Sequence, residues 1–220
     1  MSVLDQIVAG VREDLAAREA LVPLAEVKAA ARDARPALDA LATLRAPGVG
    51  VIAEVKRRSP SKGELADIPD PAELARQYAA GGARVISVLT ERRRFGGSQA
   101  DLDAVRAVVD VPVLCKDFII DEVQIYAARY FGADAILLML SVLSDDEYAH
   151  LASVAASLHM DVLTEVIDIV GGLARDIGHR PAGGGGRRDR AERPPSRRRR
   201  PARRSRSVSS GDVRTGSDAA

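Results

Sequence analysis

Apolar and polar positions change rhythm twice along this chain. Leu4 to Ala17 carries apolar residues at helical spacing (Leu4, Ile7, Val8, Val11, Leu15), with Asp5 near its start. Pro23 to Ala42 predicts a second helical region, with Pro23 suited to its first turn and Pro36 interrupting it. From Val51 short apolar runs take over, at Val51–Lys56, Val85–Thr90, Val111–Lys116, Ala135–Leu140 and Val162–Val166. Amphipathic segments lie between them, at Pro71–Ala80, Asp101–Val109, Asp121–Phe131 and Ser144–Leu158. Asp70-Pro71, Asp121-Glu122 and Ser144-Asp145-Asp146-Glu147 mark helix starts, and Gly81-Gly82 and Gly132 mark ends. Apolar runs alternating with helices predict a parallel sheet covered by helices.

An open doubly wound sheet and a (β/α)8 barrel both carry this alternation. The first strand-to-helix loop, Arg57–Asp70, has no G-x-G-x-x-G, so a dinucleotide fold loses its best marker. Charged residues recur at the C-terminal ends of the apolar runs: Glu54 and Lys56, Glu91 just past the second, Lys116, and Glu165. In a barrel those ends converge on one mouth, which favours the barrel. The expected organisation is an N-terminal helical extension over 1–48, a partial barrel of about five βα units over 49–168, and a tail over 169–220.

Charge sharpens that division. The 220 residues carry a formal charge of only +1, yet residues 1–168 are acidic and residues 169–220 strongly basic. The tail has a four-glycine run, several prolines and dense arginine with no lysine, so it is expected to be disordered. Its composition also matches a GC-rich gene read out of frame, which predicts a break of frame near Asp168. Arg197–Arg200, Arg203, Arg204 and Arg206 give an alternative reading, weak and sequence-independent nucleic-acid binding with steep salt dependence. No aromatic interleaves these arginines, so base stacking is unavailable. A single cysteine, Cys115, fits a reducing compartment. No run approaches the roughly 20 apolar residues of a membrane span, and no secretory leader is evident, so a cytoplasmic, membrane-free protein is expected.

The chemistry is expected at the strand ends. Glu54 and Lys56 share one face of the first strand, and two charges there are costly to bury unless paired. Lys116 places an ammonium directly after buried residues, which suits acid/base or Schiff-base work. Glu54 and Glu165 at equivalent ends would supply its counter-charge. Phe95-Gly96-Gly97-Ser98 could bring backbone N–H groups against a phosphate. His150, His159 and His179 lie away from strand ends, and no His/Cys/Asp cluster has metal-ligand spacing.

The stretches IAEVKRRSPSKG, SVLTERRRFGGS, VLCKDFIID and LTEVID, in this order and separation, resemble indole-3-glycerol phosphate synthase of tryptophan biosynthesis. The resemblance runs to Asp168. It implies a (β/α)8 TIM barrel with an N-terminal helical extension and a carboxy-lyase activity on a small phosphosugar anthranilate, 1-(2-carboxyphenylamino)-1-deoxyribulose 5-phosphate. It implies no metal and no organic cofactor. Lys116 would be the general acid of ring closure, Lys56 would engage the substrate carboxylate, and Glu54 and Glu165 would serve the condensation and dehydration steps. Ser59 would belong to the phosphate-side loop, while Glu91, Phe95 and Phe118 would line the pocket. The family pattern continues with three more βα units that are not recognisable in 169–220, and Arg175, Arg180 and Ser196 have no strand context to replace them. Five strands would leave the first and fifth as open edges, so little turnover is expected of this chain alone.

Overall fold

The computed structural model describes residues 2–166. The expectations placed on 169–220 lie outside the described residues.

The chain opens with α1 (Val3–Glu19), closed at its start by a capping box in which Ser2 and Asp5 satisfy each other's backbone N–H. The region from Pro23 to Ala42 divides into α2 (Leu24–Arg32) and α3 (Ala40–Arg45). Pro36 lies between them, where its ring would clash with a preceding helical turn. Asp39 then restarts the helix by accepting the Ala42 N–H.

Next come β1 (Ile52–Val55) and a short antiparallel hairpin, β2 (Arg58–Ser59) and β3 (Gly63–Glu64). The hairpin sits inside the expected loop. The alternation continues with α4 (Pro71–Ala80), β4 (Val85–Leu89), α5 (Gln99–Arg106), β5 (Val113–Lys116) and α6 (Glu122–Tyr130). It then runs through β6 (Ala135–Met139), α7 (Asp145–Ser157) and β7 (Asp161–Glu165). Helix α5 starts two residues before the expected Asp101, because the Ser98 hydroxyl accepts the Asp101 N–H and makes Ser98 the cap.

The strands β1, β4, β5, β6 and β7 form one parallel sheet in that spatial order. Sequential order with a helix between successive strands is the build of a (β/α) barrel, of which five strands and the four helices between them are described. The period of two sorts the side chains by face. Val55, Ile86, Val88, Val113, Cys115, Ile136 and Leu138 point outward and pack against α4 to α7, forming the main core. Val85, Leu114 and Ala135 point inward at the opposite end and are closed from below by Ala40 and Leu44 of α3.

Two further contacts tie the extension down. Ile7, Val11 and Leu15 of α1 pack on Val123, with Phe95, Phe118 and Ile120 against the same cluster. Beneath the sheet Asp134 is fully buried and accepts four hydrogen bonds. Two come from Arg35 (2.7 Å) and the Leu38 N–H (2.9 Å), two from Arg106 (2.9 Å) and the Val113 N–H (2.9 Å). A buried carboxylate is stable only when its lone pairs are filled in this way.

The inner face is unevenly covered. Every residue of β4 and β6 is buried, whereas Ile52 in β1 is 38% exposed and Leu163 in β7 is 40% exposed. Among the described residues β1 and β7 each pair on one side only, so both edges remain open.

Candidate active site

The polar centre of the inner face is built from the last residues of three strands. Val55 faces outward, so Glu54 and Lys56 on either side of it face inward. Lys116 ends β5 and Glu165 ends β7, both on the same face. The four side chains meet. Glu54 Oε1 accepts from Lys56 Nζ, and Glu54 Oε2 lies 3.7 Å from Lys116 Nζ. Lys116 Nζ is also 3.7 Å from Glu165 Oε2.

Glu54 and Glu165 belong to opposite edges of the sheet, about 19 Å apart across four strand spacings if it were flat. Curvature toward the inner face lets both reach one ammonium on the middle strand. All four side chains are roughly one-third exposed. Two ammoniums against two carboxylates leave the cluster neutral, the balance a half-buried site needs. Its groups can donate and accept protons toward a ligand in the mouth.

The remaining expected residues are placed differently. Glu91 is 5% exposed, and its carboxylate accepts the N–H groups of Arg93 (3.0 Å), Arg94 (2.7 Å) and Phe95 (2.9 Å). It therefore shapes its own loop. In the Phe95–Ser98 loop, which could bring backbone N–H groups against a phosphate, both glycine N–H groups are bonded to loop carbonyls. Gly96 donates to the Arg92 carbonyl and Gly97 to the Glu91 carbonyl. A Cβ on Gly97 would stand 2.0 Å from the Leu89 oxygen, so the glycine is there for backbone approach.

The rings of Phe95 and Phe118 meet tilted at 39° with centroids 5.9 Å apart, half-buried against α1. Ser59 lies in the hairpin, where its hydroxyl accepts the Lys62 N–H at 3.2 Å. No hydrogen bond among the described residues joins it to the quartet.

Three residues that the sequence pattern passed over support these loops. Arg57 holds Asp101 through two hydrogen bonds (2.7 and 3.1 Å) and donates to the carbonyls of Ile68 and Gly96. It ties the loop after β1 to the loop after β4. Asp117 is buried behind Lys116, accepting from the Thr90 hydroxyl (2.7 Å) and the Phe118 N–H (2.8 Å). Burial pushes its carboxyl above the usual range, and these hydrogen bonds oppose the shift. Burial likewise pushes the Cys115 thiol up to about 12. Arg57 and Asp101 stand 44 residues apart, a separation at which no local period operates. A charged residue directly after a buried strand end was the one available signal for Asp117.

Comparison with known proteins decides the family. A family model described as indole-3-glycerol phosphate synthase matches residues 4–171. The chain belongs to the indole-3-glycerol phosphate synthase family. It is 63% identical over 166 residues to an indole-3-glycerol phosphate synthase of Rhodococcus jostii (strain RHA1), covering 76% of this chain and 62% of the relative. It is 60% identical over 168 residues to that of Nocardioides sp. (strain ATCC BAA-499 / JS614), covering 76% and 65%. The synthase of Mycobacterium avium (strain 104) is 58% identical over 165 residues, covering 75% and 61%. The chain thus spans less than two thirds of the length of these synthases. Nothing in the comparisons supports the nucleic-acid reading, which rested on residues outside those described. No helix among the described residues is long and apolar enough to cross a membrane.

Proposed function

We propose that this chain carries the proton-transfer groups of an indole-3-glycerol phosphate synthase, working on 1-(2-carboxyphenylamino)-1-deoxyribulose 5-phosphate in the cytoplasm. The single observation that supports this most strongly is the Lys116 ammonium standing 3.7 Å from the carboxylates of both Glu54 and Glu165. In the proposed reaction the anthranilate ring carbon attacks the sugar ketone, and Lys116 gives its proton to the developing alkoxide. A positioned acid at that oxygen stabilises charge where it forms. Loss of carbon dioxide follows, with Lys56 placed to hold the carboxylate that leaves. Water then departs from the former ketone carbon, with Glu54 and Glu165 as the acid and base that move the required protons. The steps are one carbon–carbon bond formed, one broken with loss of carbon dioxide, and one carbon–oxygen bond broken with loss of water, with proton transfers and no net redox change, so the proposal calls for no cofactor. In it Ser59 serves the phosphate end, and Phe95 and Phe118 bound the aromatic end of the pocket. Glu91 contributes by holding the loop that carries Phe95.

The open edges of β1 and β7 set the form of the test. Turnover is measured by product fluorescence with the purified chain alone. It is measured again after co-expression with the part of the Rhodococcus jostii synthase that this chain does not match. Little turnover is expected alone and a clear gain in the mixture, lost on Lys116→Ala. A co-expressed sample whose rate is unchanged by Lys116→Ala would overturn the assignment.

A further inference from the structure

The quartet leaves one question of geometry open: what holds Lys116 in place. Its two carboxylate neighbours stand at 3.7 Å, beyond hydrogen-bond length, and its Nζ makes no hydrogen bond among the described residues. Attraction at that distance centres the ammonium without fixing the strand that carries it. The fixing contacts lie behind the strand. Thr90, just past β4, grips β5 twice: its N–H donates to the Lys116 carbonyl (3.1 Å) and its hydroxyl donates to Asp117 (2.7 Å). The other Asp117 oxygen accepts the Phe118 N–H (2.8 Å), and Cys115 Sγ lies 3.5 Å from the Thr90 hydroxyl. Thr90, Cys115 and Asp117 are all buried, and the charges of Arg18 on α1 and of Glu91 also act on Asp117.

A carboxylate is a costly choice at such a place, where an apolar side chain would pack without penalty. Its two acceptor oxygens do what no apolar residue does, bonding a neighbouring strand with one and the following backbone with the other. We propose that Asp117 is a positioning residue for Lys116: together with Thr90 it locks the end of β5 to the end of β4, so that the ammonium projects between Glu54 and Glu165 and Phe118 turns toward Phe95. The value of that placement for catalysis rests on the functional reading above; the placement itself is testable without it.

The test is competitive labelling of lysines in the full chain by a small acylating reagent at fixed pH, read by mass spectrometry. Lys62, exposed in the hairpin, is the internal standard. Asp117→Ala and Thr90→Val each remove the side-chain tether and leave the Thr90 N–H bond to the Lys116 carbonyl, and each is expected to raise Lys116 labelling relative to Lys62 about fivefold, the weight of one lost hydrogen bond. Asp117→Asn keeps an oxygen for the Phe118 N–H and an amide for the Thr90 hydroxyl, so its ratio is expected to stay within about twofold of the parent. If Asp117→Ala does not fold, Thr90→Val carries the same comparison. Unchanged ratios in the tether-removing variants, or an Asp117→Asn ratio as high as theirs, would overturn the proposal. A chain with no turnover still reports in this experiment, so failure of the catalytic reading and failure of the positioning reading are seen separately.

Discussion

Replacing Asp134 by alanine removes the centre of the network that joins the N-terminal extension to the floor of the sheet. The carboxylate is fully buried and its four hydrogen bonds come from two arginines and two backbone N–H groups, all between 2.7 and 2.9 Å. Alanine leaves the Leu38 and Val113 N–H groups without an acceptor, while Arg106 keeps the Val109 and Val111 carbonyls. Each stranded buried donor costs about 1–3 kcal/mol. Removing one member of a buried ion cluster costs about 3–5 kcal/mol in total. About 4 kcal/mol is therefore expected, a large share of the roughly 5–15 kcal/mol that holds a domain together. At about 2–4 °C per kcal/mol for a chain of this size, the midpoint should fall by about 8–16 °C. Urea unfolding followed by circular dichroism should show a parallel drop of about 2 M at an m-value near 2 kcal/mol/M. Arg35→Ala makes an internal comparison, because its side chain is 37% exposed and water replaces part of what it loses. It should cost about 1 kcal/mol. A loss below about 1 kcal/mol for Asp134→Ala, or equal losses for both variants, would refute the reasoning.

Cys115 is buried and its thiol is raised to about 12. Iodoacetamide near pH 8 should therefore leave the folded chain unmodified and label it only after denaturation, as read by intact mass. Asp117 titrates above its ordinary value in the folded chain because burial disfavours its charge. The folded state therefore holds that proton more tightly, and Asp117 subtracts stability as pH rises from about 4. Asp117→Asn should remove this slope, so the variant gains on the parent between acid and neutral pH in denaturant titrations. Gly97→Ala drives a Cβ to 2.0 Å from the Leu89 carbonyl and must displace the loop. A loss of about 1–3 kcal/mol is expected, with slower turnover in the co-expressed enzyme because Phe95 moves with the loop.

Much of this architecture was legible in local patterns. A period of two placed Glu54 and Lys56 on one face, and both do face inward. Asp70, Asp121 and Ser144 marked helix starts, and each caps a helix with its side chain. Charged strand ends in parallel sheets converge for reasons of topology alone, so Lys116, Glu54 and Glu165 could be grouped before their distances were known. Glu91 shared that position in sequence but not its role, since three loop N–H groups within four residues captured its carboxylate.

What the chain sequence determined by itself was the identity of the repeating unit and the set of charges at its ends. Tertiary structure alone decided which of those charges serve the mouth and which hold the walls. Arg35 reaches Asp134 across 99 residues and Arg57 reaches Asp101 across 44. Periodicity reports only neighbours along one helix or strand, whereas the partner of a buried ion is set by how separate elements fold against each other.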